Sequence, residues 1–95
     1  MGIYRKLERQ FPDYIIIQKE GCFYSTHHKS AQALAQIMDY KLGIDFTGNY
    51  ITGGPDSAKI CAQLELDDYS FLLVECGRVI YGNSGKNPFE HNVIV

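Results

Sequence analysis

The sequence of 95 residues lacks any hydrophobic run long enough to cross a membrane. Its longest uninterrupted apolar stretches are residues 15–17 and 71–74, whereas a membrane-spanning helix needs about 20 apolar residues. Residues 1–6 also have no apolar segment behind their charges, so the sequence predicts no secretory signal. Together these absences predict a cytoplasmic protein that does not enter a membrane.

Cysteine is scarce, and its three positions do not form a pattern. Cys22, Cys61 and Cys76 are an odd number of thiols, and no two of them have the Cys-x-x-Cys spacing. A disulfide framework is therefore excluded, and reduced thiols are expected. Because Cys61 and Cys76 stand in apolar stretches, we expect both to be buried in the core.

An excess of positive charge is also missing. The formal net charge is −2 and the pI is about 5.8, whereas domains that hold nucleic acid by charge alone usually have a pI above about 9. Residues 1–41 carry six Lys and Arg against four acids (+2), and residues 42–95 carry three against seven (−4). Any nucleic-acid contact is therefore expected to be weak and to lie in the N-terminal half.

The length predicts one domain over residues 1–95, and the hydrophobic periodicity predicts an α/β fold with a mixed sheet. We expect five to six strands and two to three packed helices. The predicted helices are residues 3–10, 25–40 and 58–66. The predicted strands are residues 14–18, 42–46, 50–52, 70–75, 78–81 and 92–95, with a turn at Gly48-Asn49. Residues 14–18 and 70–75 are expected to be inner strands because they are the most continuously apolar.

Histidine and cysteine do not suggest a metal site. His27 and His28 stand near Cys22, but neighbouring residues of a helix point about 100° apart and a structural zinc needs four ligands. We expect these histidines to begin a solvated helix. A Cys–His catalytic pair, Cys22 with His27 or Cys76 with His91, would need partners that the sequence does not place.

Two motifs for phosphate and magnesium chemistry are incomplete. The Gly-rich residues 82–87 have two residues between their glycines, where a phosphate-binding loop needs four. Asp56 and Glu75 resemble the paired carboxylates of Mg²⁺-dependent nucleases, but Gly77 stands where such a site needs Lys. Asp56 is also well placed to cap a helix. We therefore expect no catalytic residue, no metal and no cofactor.

Two aromatic residues, Phe23 and Tyr24, follow Gly21-Cys22 between a predicted strand and the main helix. One interpretation is that both rings seal the junction between these elements. The other is that one ring is exposed and either stacks on a base or fills a pocket of a protein partner.

The order and spacing of several segments carry a family resemblance. Residues 11–18 read FPDYIIIQ, residues 21–24 read GCFY before an Ala- and Leu-containing helix, residues 51–55 read ITGGP, and residues 70–75 read SFLLVE. Over residues 11–75 this resembles the N-terminal mismatch-recognition domain (domain I) of MutS-family DNA mismatch repair proteins. That family has Gly-Asp-Phe-Tyr-Glu where this chain has Gly-Cys-Phe-Tyr-Ser.

The resemblance implies a non-catalytic DNA-binding module whose partner is double-stranded DNA with mismatches. Phe23 matches the family's stacking Phe, and Ser25 replaces the Glu that hydrogen-bonds the mispaired base. Lys19 and Lys29 flank Phe23 in sequence and would attract phosphates, together with the cations of residues 3–10. The alternative is a protein-interaction domain that kept the fold and lost mismatch reading, which Ser25 and the acidic C-terminal half favour.

Overall fold

The computed structural model describes residues 2–90, which form three α-helices and one six-stranded sheet. The sheet order is β3-β4-β2-β1-β5-β6, and only the β1–β5 pair is parallel. The predicted mixed α/β class is confirmed. None of the described helices is long and apolar enough to span a bilayer. The elements are α1 (Gly2–Gln10), β1 (Ile15–Glu20), β2 (Phe23–His27), α2 (His28–Met38), β3 (Gly43–Ile44), β4 (Tyr50–Gly54), α3 (Ser57–Leu66), β5 (Phe71–Glu75) and β6 (Arg78–Asn83).

Strands β1 and β5 lie in the interior of the sheet, as their continuous apolar sequences predict. The parallel register places Ile15 opposite Phe71 and Ile17 opposite Leu73. All three isoleucines of residues 15–17 are fully buried, because helices cover both faces of the sheet at this point.

Two layers of helix enclose the sheet. Helices α2 and α3 pack on one face, over a core that contains Ile15, Ile17, Leu34, Ile60, Leu64 and Phe71. Helix α1 packs on the other face, where Tyr4 contacts Ile16, Leu72 and Val74. We call these the α2/α3 face and the α1 face.

The predicted helix over residues 25–40 is wrong at both ends. Residues 23–27 form β2, because Gly21 (φ 67°) allows a two-residue turn after β1 and β2 then pairs with both β1 and β4. At the other end, Asp39 takes a left-handed φ of 57° and ends α2. The predicted strand over residues 42–46 shrinks to Gly43–Ile44, and the prediction for residues 92–95 lies outside the described residues.

The burial expected of Cys76 is also wrong. Cys76 (φ 52°) and Gly77 (φ 74°) are the two central residues of the β5–β6 turn, and positive φ at both positions is the signature of a type I′ hairpin. The thiol of Cys76 is therefore exposed, whereas Cys61 is buried as predicted and all three cysteines are free.

Candidate nucleic-acid interface

Phe23 is the first residue of β2 and follows the tight turn at Gly21-Cys22. Its side chain is 46% exposed, so the exposure that a base-contacting ring requires is observed. Its Cα partner on β1 is Glu20, so a hairpin rather than a strand–helix junction presents the ring. Tyr24, the next residue, points to the opposite face, where it packs against the core and its hydroxyl donates to Glu75 at 3.5 Å.

Ser25 does not lie on the surface with Phe23. It is only 3% exposed and lies between Gln18 of β1 and Gly53 of β4. The Cα of Ser25 is so close to β4 that a Cβ on Gly53 would come within 3.0 Å of it, and within 2.0 Å of the carbonyl oxygen of Tyr24. Ser25 is therefore buried in the free chain, unlike Phe23, and its role at an interface stays a prediction.

Lys19 and Lys29 flank Phe23 in sequence but not in space. Lys19 pairs with Tyr24, so it lies on the α2/α3 face, opposite to the face of Phe23. The ammonium of Lys29 donates to the carbonyl oxygen of Pro12 at 2.6 Å and lies 4.3 Å from the centre of the Phe89 ring. Pro12 precedes β1 and Phe23 pairs with its last residue, so these two sites are separated by about 17 Å of strand.

Helix α1 supplies different cations to the face of Phe23. Phe23 and His27 share a face because they are four residues apart on one strand, and His27 contacts Tyr4 of α1 with ring centres 4.9 Å apart. Arg5, Lys6 and Arg9 are all exposed on α1. The helix therefore places three guanidinium or ammonium groups on the same side of the sheet as the exposed ring.

A buried hydroxyl fixes α1 to the sheet. The Tyr4 hydroxyl donates to the carbonyl oxygen of Ile16 at 2.7 Å and accepts from the backbone N–H of His27 at 2.8 Å. Burial is the main cause that raises the pKa of Tyr4 far above its ordinary value, so this group stays a neutral hydroxyl. The position of α1 relative to β1 and β2 is thus set by directional contacts as well as by packing.

Both histidines that were expected to be solvated are enclosed instead. His27 is 5% exposed and its Nε2 lies 3.2 Å from a carboxylate oxygen of Glu20. His28 has a left-handed φ of 58°, which turns its Nδ1 to within 3.0 Å of the Glu8 carboxylate on α1. Burial raises the pKa of Glu20, but hydrogen bonds from His27 and Gln18 outweigh it and leave the pKa below its ordinary value.

This pairing decides which side of α1 faces β2. Glu8 is bonded to His28, the residue that follows β2. Arg5 is one helical turn before Glu8, so it lies on the same side of the helix. Of the three exposed cations of α1, Arg5 is therefore the one on the side of the helix where Glu8 bonds the residue after β2.

The other candidate chemistry has structural roles. Asp56 caps α3, as predicted, because its carboxylate accepts from the N–H of Lys59 at 3.1 Å. Burial raises the pKa of the Cys61 thiol to about 11, so it is not a nucleophile near neutral pH. Among residues 2–90, no three His, Cys, Asp or Glu side chains are grouped to hold a metal ion.

The sequence reasoning missed an aromatic side chain at the tip of the β3–β4 hairpin. Phe46 is fully exposed, in the five-residue loop between β3 and β4, where Gly48 has a φ of 88°. The Asp45 carboxylate holds this loop by accepting from Thr47 and Asn49. The signal was present as Asp and Gly three residues apart, which place Phe46 inside a turn rather than in a strand.

A cleft of about 520 Å³ lies between α2 and residues 88–89. Its lining combines apolar groups such as Ile37 and Phe89 with the polar side chains of Lys29 and Asp67. Because Lys29 belongs to this cleft, it is separated from the surface around Phe23.

Comparison of the chain with models of known protein families finds no match, and comparison with curated proteins finds none either.

Proposed function

We propose that this chain is a non-catalytic, cytoplasmic DNA-binding module that contacts mismatched double-stranded DNA through Phe23. The observation that carries the proposal is the 46% exposure of the Phe23 ring at a tight hairpin turn. A buried ring could not reach a base, and a ring on a long flexible loop would not be held ready to enter one. The resemblance of residues 11–75 to MutS domain I supports the same assignment.

The contact that fits this geometry is an apolar wedge. A side chain that enters the minor groove separates two base pairs, which costs a few kcal/mol and costs least at a mismatched step. An exposed Phe on a two-residue turn has the size and position for this step. The chemistry requires no cofactor and no metal, because no covalent bond changes.

In this proposal the cations that attract the DNA phosphates are those of α1, and not Lys19 and Lys29. Arg5, Lys6 and Arg9 are exposed on the helix that packs on the face of Phe23. Three such cations give a shallow salt dependence and a dissociation constant at the weak end of the non-specific range, about 10⁻⁴ M at physiological salt. Lys19 and Lys29 contribute little, since one lies on the other face and the other is bonded to Pro12.

The acid beside Phe23 is on the neighbouring strand. Glu20 is directly across from Phe23, its side chain is 41% exposed, and it shares the α1 face with the ring. Ser25, which replaces the Glu of the related domain, is buried. In this proposal the carboxylate within reach of a base that contacts Phe23 is that of Glu20, and the position of Ser25 supplies no contact to the base.

The test is fluorescence anisotropy of labelled homoduplex and mismatched oligonucleotides at low salt. The matched control compares Phe23→Ala with Phe46→Ala, since Phe46 is an exposed phenylalanine at the opposite end of the sheet. We expect Phe23→Ala to abolish the preference for mismatched duplex and Phe46→Ala to leave it unchanged. Absence of binding to either duplex at about 100 µM, where even non-specific binding is detectable, would refute the proposal.

A protein-interaction domain is the second candidate, and the hairpin tip favours it. Phe46 is fully exposed on a loop that four hydrogen bonds from residues 47–49 to Asp45 make rigid. Rigid exposed aromatics are typical anchors of protein interfaces. If a partner protein is captured by the unmodified chain and by Phe23→Ala but not by Phe46→Ala, this second function is supported.

A further inference from the structure

Strand β6 forms an edge of the sheet that carries few of the usual safeguards against pairing. Within residues 2–90 it is bonded to β5 alone. Val79, Ile80 and Tyr81 follow one another and are 46%, 51% and 47% exposed. Edge strands are usually protected by Lys, Pro, inward-facing charges or a β-bulge, and of these β6 has only a bulge, at Ile80. In β6 the only charge is Arg78, at the first position.

A β-bulge changes which residues of β6 share a face. Val79 pairs with Val74 and Tyr81 pairs with Leu73, so Ile80 is an extra residue. Arg78 pairs with Glu75 and Asn83 pairs with Phe71. Because positions 75 and 71 are four apart on β5, Arg78 and Asn83 face the same side although they are five residues apart.

This spacing makes β6 complementary to itself. When two copies of one strand pair antiparallel across a two-fold axis, each residue lies opposite a residue of the other copy, and the two residue numbers of every such pair add up to the same total. The two side chains of a pair must also lie on the same face of the joined sheet. Pairing Arg78 with Asn83 and Val79 with Gly82 satisfies this condition, since Val79 and Gly82 are both on the α1 face. In a regular strand without the bulge, Arg78 and Asn83 would lie on opposite faces, so they could not be paired in this register.

The charges at the two ends of β6 are complementary as well. Arg78 makes no ion pair with a carboxylate of the described residues, although Glu75 is its Cα partner on β5. Two acids are bonded to the second half of β6. The Tyr81 hydroxyl donates to Glu65 of α3, and the Asn83 amide donates to Asp68 at 3.4 Å.

We propose that β6 pairs antiparallel with β6 of a second copy of this chain, which joins two six-stranded sheets into one across a two-fold axis. Arg78 of each copy then lies opposite Asn83 of the other, beside the acids Glu65 and Asp68. Ile80 meets Tyr81 at the centre. Because only one strand from each copy contributes, the interface is at the low end of the known size range and the dimer is reversible.

The first test is analytical ultracentrifugation over a range of concentrations up to about 1 mM, where a weak interface is half formed. The unmodified chain should change from monomer to dimer, and Ile80→Lys should remain a monomer. The control is Phe46→Lys, which places the same charge on the opposite edge and should still dimerise. A monomer at every concentration would overturn the proposal, and so would loss of the dimer in Phe46→Lys but not in Ile80→Lys.

The second test uses the two-fold geometry and also covers the case in which Ile80→Lys does not fold. Arg78→Glu alone places like charges at both ends of the interface, as does Glu65→Arg alone. Each should weaken dimerisation by about tenfold or more. An equimolar mixture of the two variants makes both contacts attractive and should restore the dimer. If the mixture associates no better than either variant alone, the two-fold pairing is refuted.

Discussion

The buried hydroxyl of Tyr4 gives the sharpest stability prediction. Tyr4→Phe keeps the ring and its packing but removes the oxygen that bonds Ile16 and His27. The N–H of His27 is then buried without a partner, which costs about 1–3 kcal/mol, and the lost bond to the Ile16 carbonyl adds about 0.5–1.5 kcal/mol. We therefore expect a loss of about 1.5–4.5 kcal/mol in the free energy of unfolding.

Urea denaturation followed by circular dichroism measures this loss. With an m-value of about 1–2 kcal/mol per molar, the midpoint should fall by at least about 0.7 M. The control is Tyr14→Phe, which removes an exposed hydroxyl bonded to Ser84 and should change stability by less than about 0.5 kcal/mol. If Tyr4→Phe costs no more than Tyr14→Phe, the hydroxyl does not fix α1, and the placement of the α1 cations on the face of Phe23 loses its basis.

Three other predictions follow from local geometry. Gly53→Ala should destabilise the fold by more than about 2 kcal/mol, because the new Cβ would lie 2.0 Å from a carbonyl oxygen. Gly43→Ala, whose Cβ would meet its nearest atom at 3.5 Å, should cost less, and thermal melts of the two variants measure the difference. Cys76 should react with a thiol reagent in the native protein while Cys61 is protected, and equal rates by mass spectrometry would contradict the turn assignment. The lowered pKa of Glu20 should stabilise the folded state fully above its ordinary value of 4.5 and lose this contribution as the pH falls through the lowered value, so Glu20→Gln should flatten the acid side of the stability curve.

The sequence predicted the sheet well where burial is uniform. Residues 15–17 and 71–74 are apolar at every position, and only inner strands covered on both faces need that composition. Asp56 was recognised as a cap because the residue type and the following helix agree. These features depend on a few neighbouring residues, so a local pattern reports them.

The errors arose where tertiary contacts override the local pattern. Residues 25–27 continue the helical register of α2 in sequence, but pairing with β1 and β4 makes them a strand. Cys76 stands next to an apolar strand, and the left-handed turn exposes it. These pairings involve residues far apart in sequence, so a pattern over ten neighbouring residues cannot predict their contribution to the free energy of folding.

The candidate site was predicted only in part, for a similar reason. Phe23 is exposed as expected, whereas Ser25 was selected through the family resemblance and the two lysines because they flank Phe23 in sequence. Alternation along β1 places Lys19 on the opposite face, and the contact with Pro12 holds Lys29 near the start of β1. The cations of α1 lie on the same face of the sheet as Phe23 because Tyr4 of α1 contacts His27 of β2. No sequence motif predicts this contact.

The central claim is that the Phe23 ring enters the duplex at a mismatched step. A fluorescent base analogue such as 2-aminopurine, placed beside the mismatch, measures this directly because its emission rises when it is unstacked. We predict a rise in fluorescence when the unmodified chain is added, no rise with Phe23→Ala, and an unchanged rise with Phe46→Ala. Equal emission with the unmodified chain and with Phe23→Ala, at concentrations where both bind, would contradict the claim.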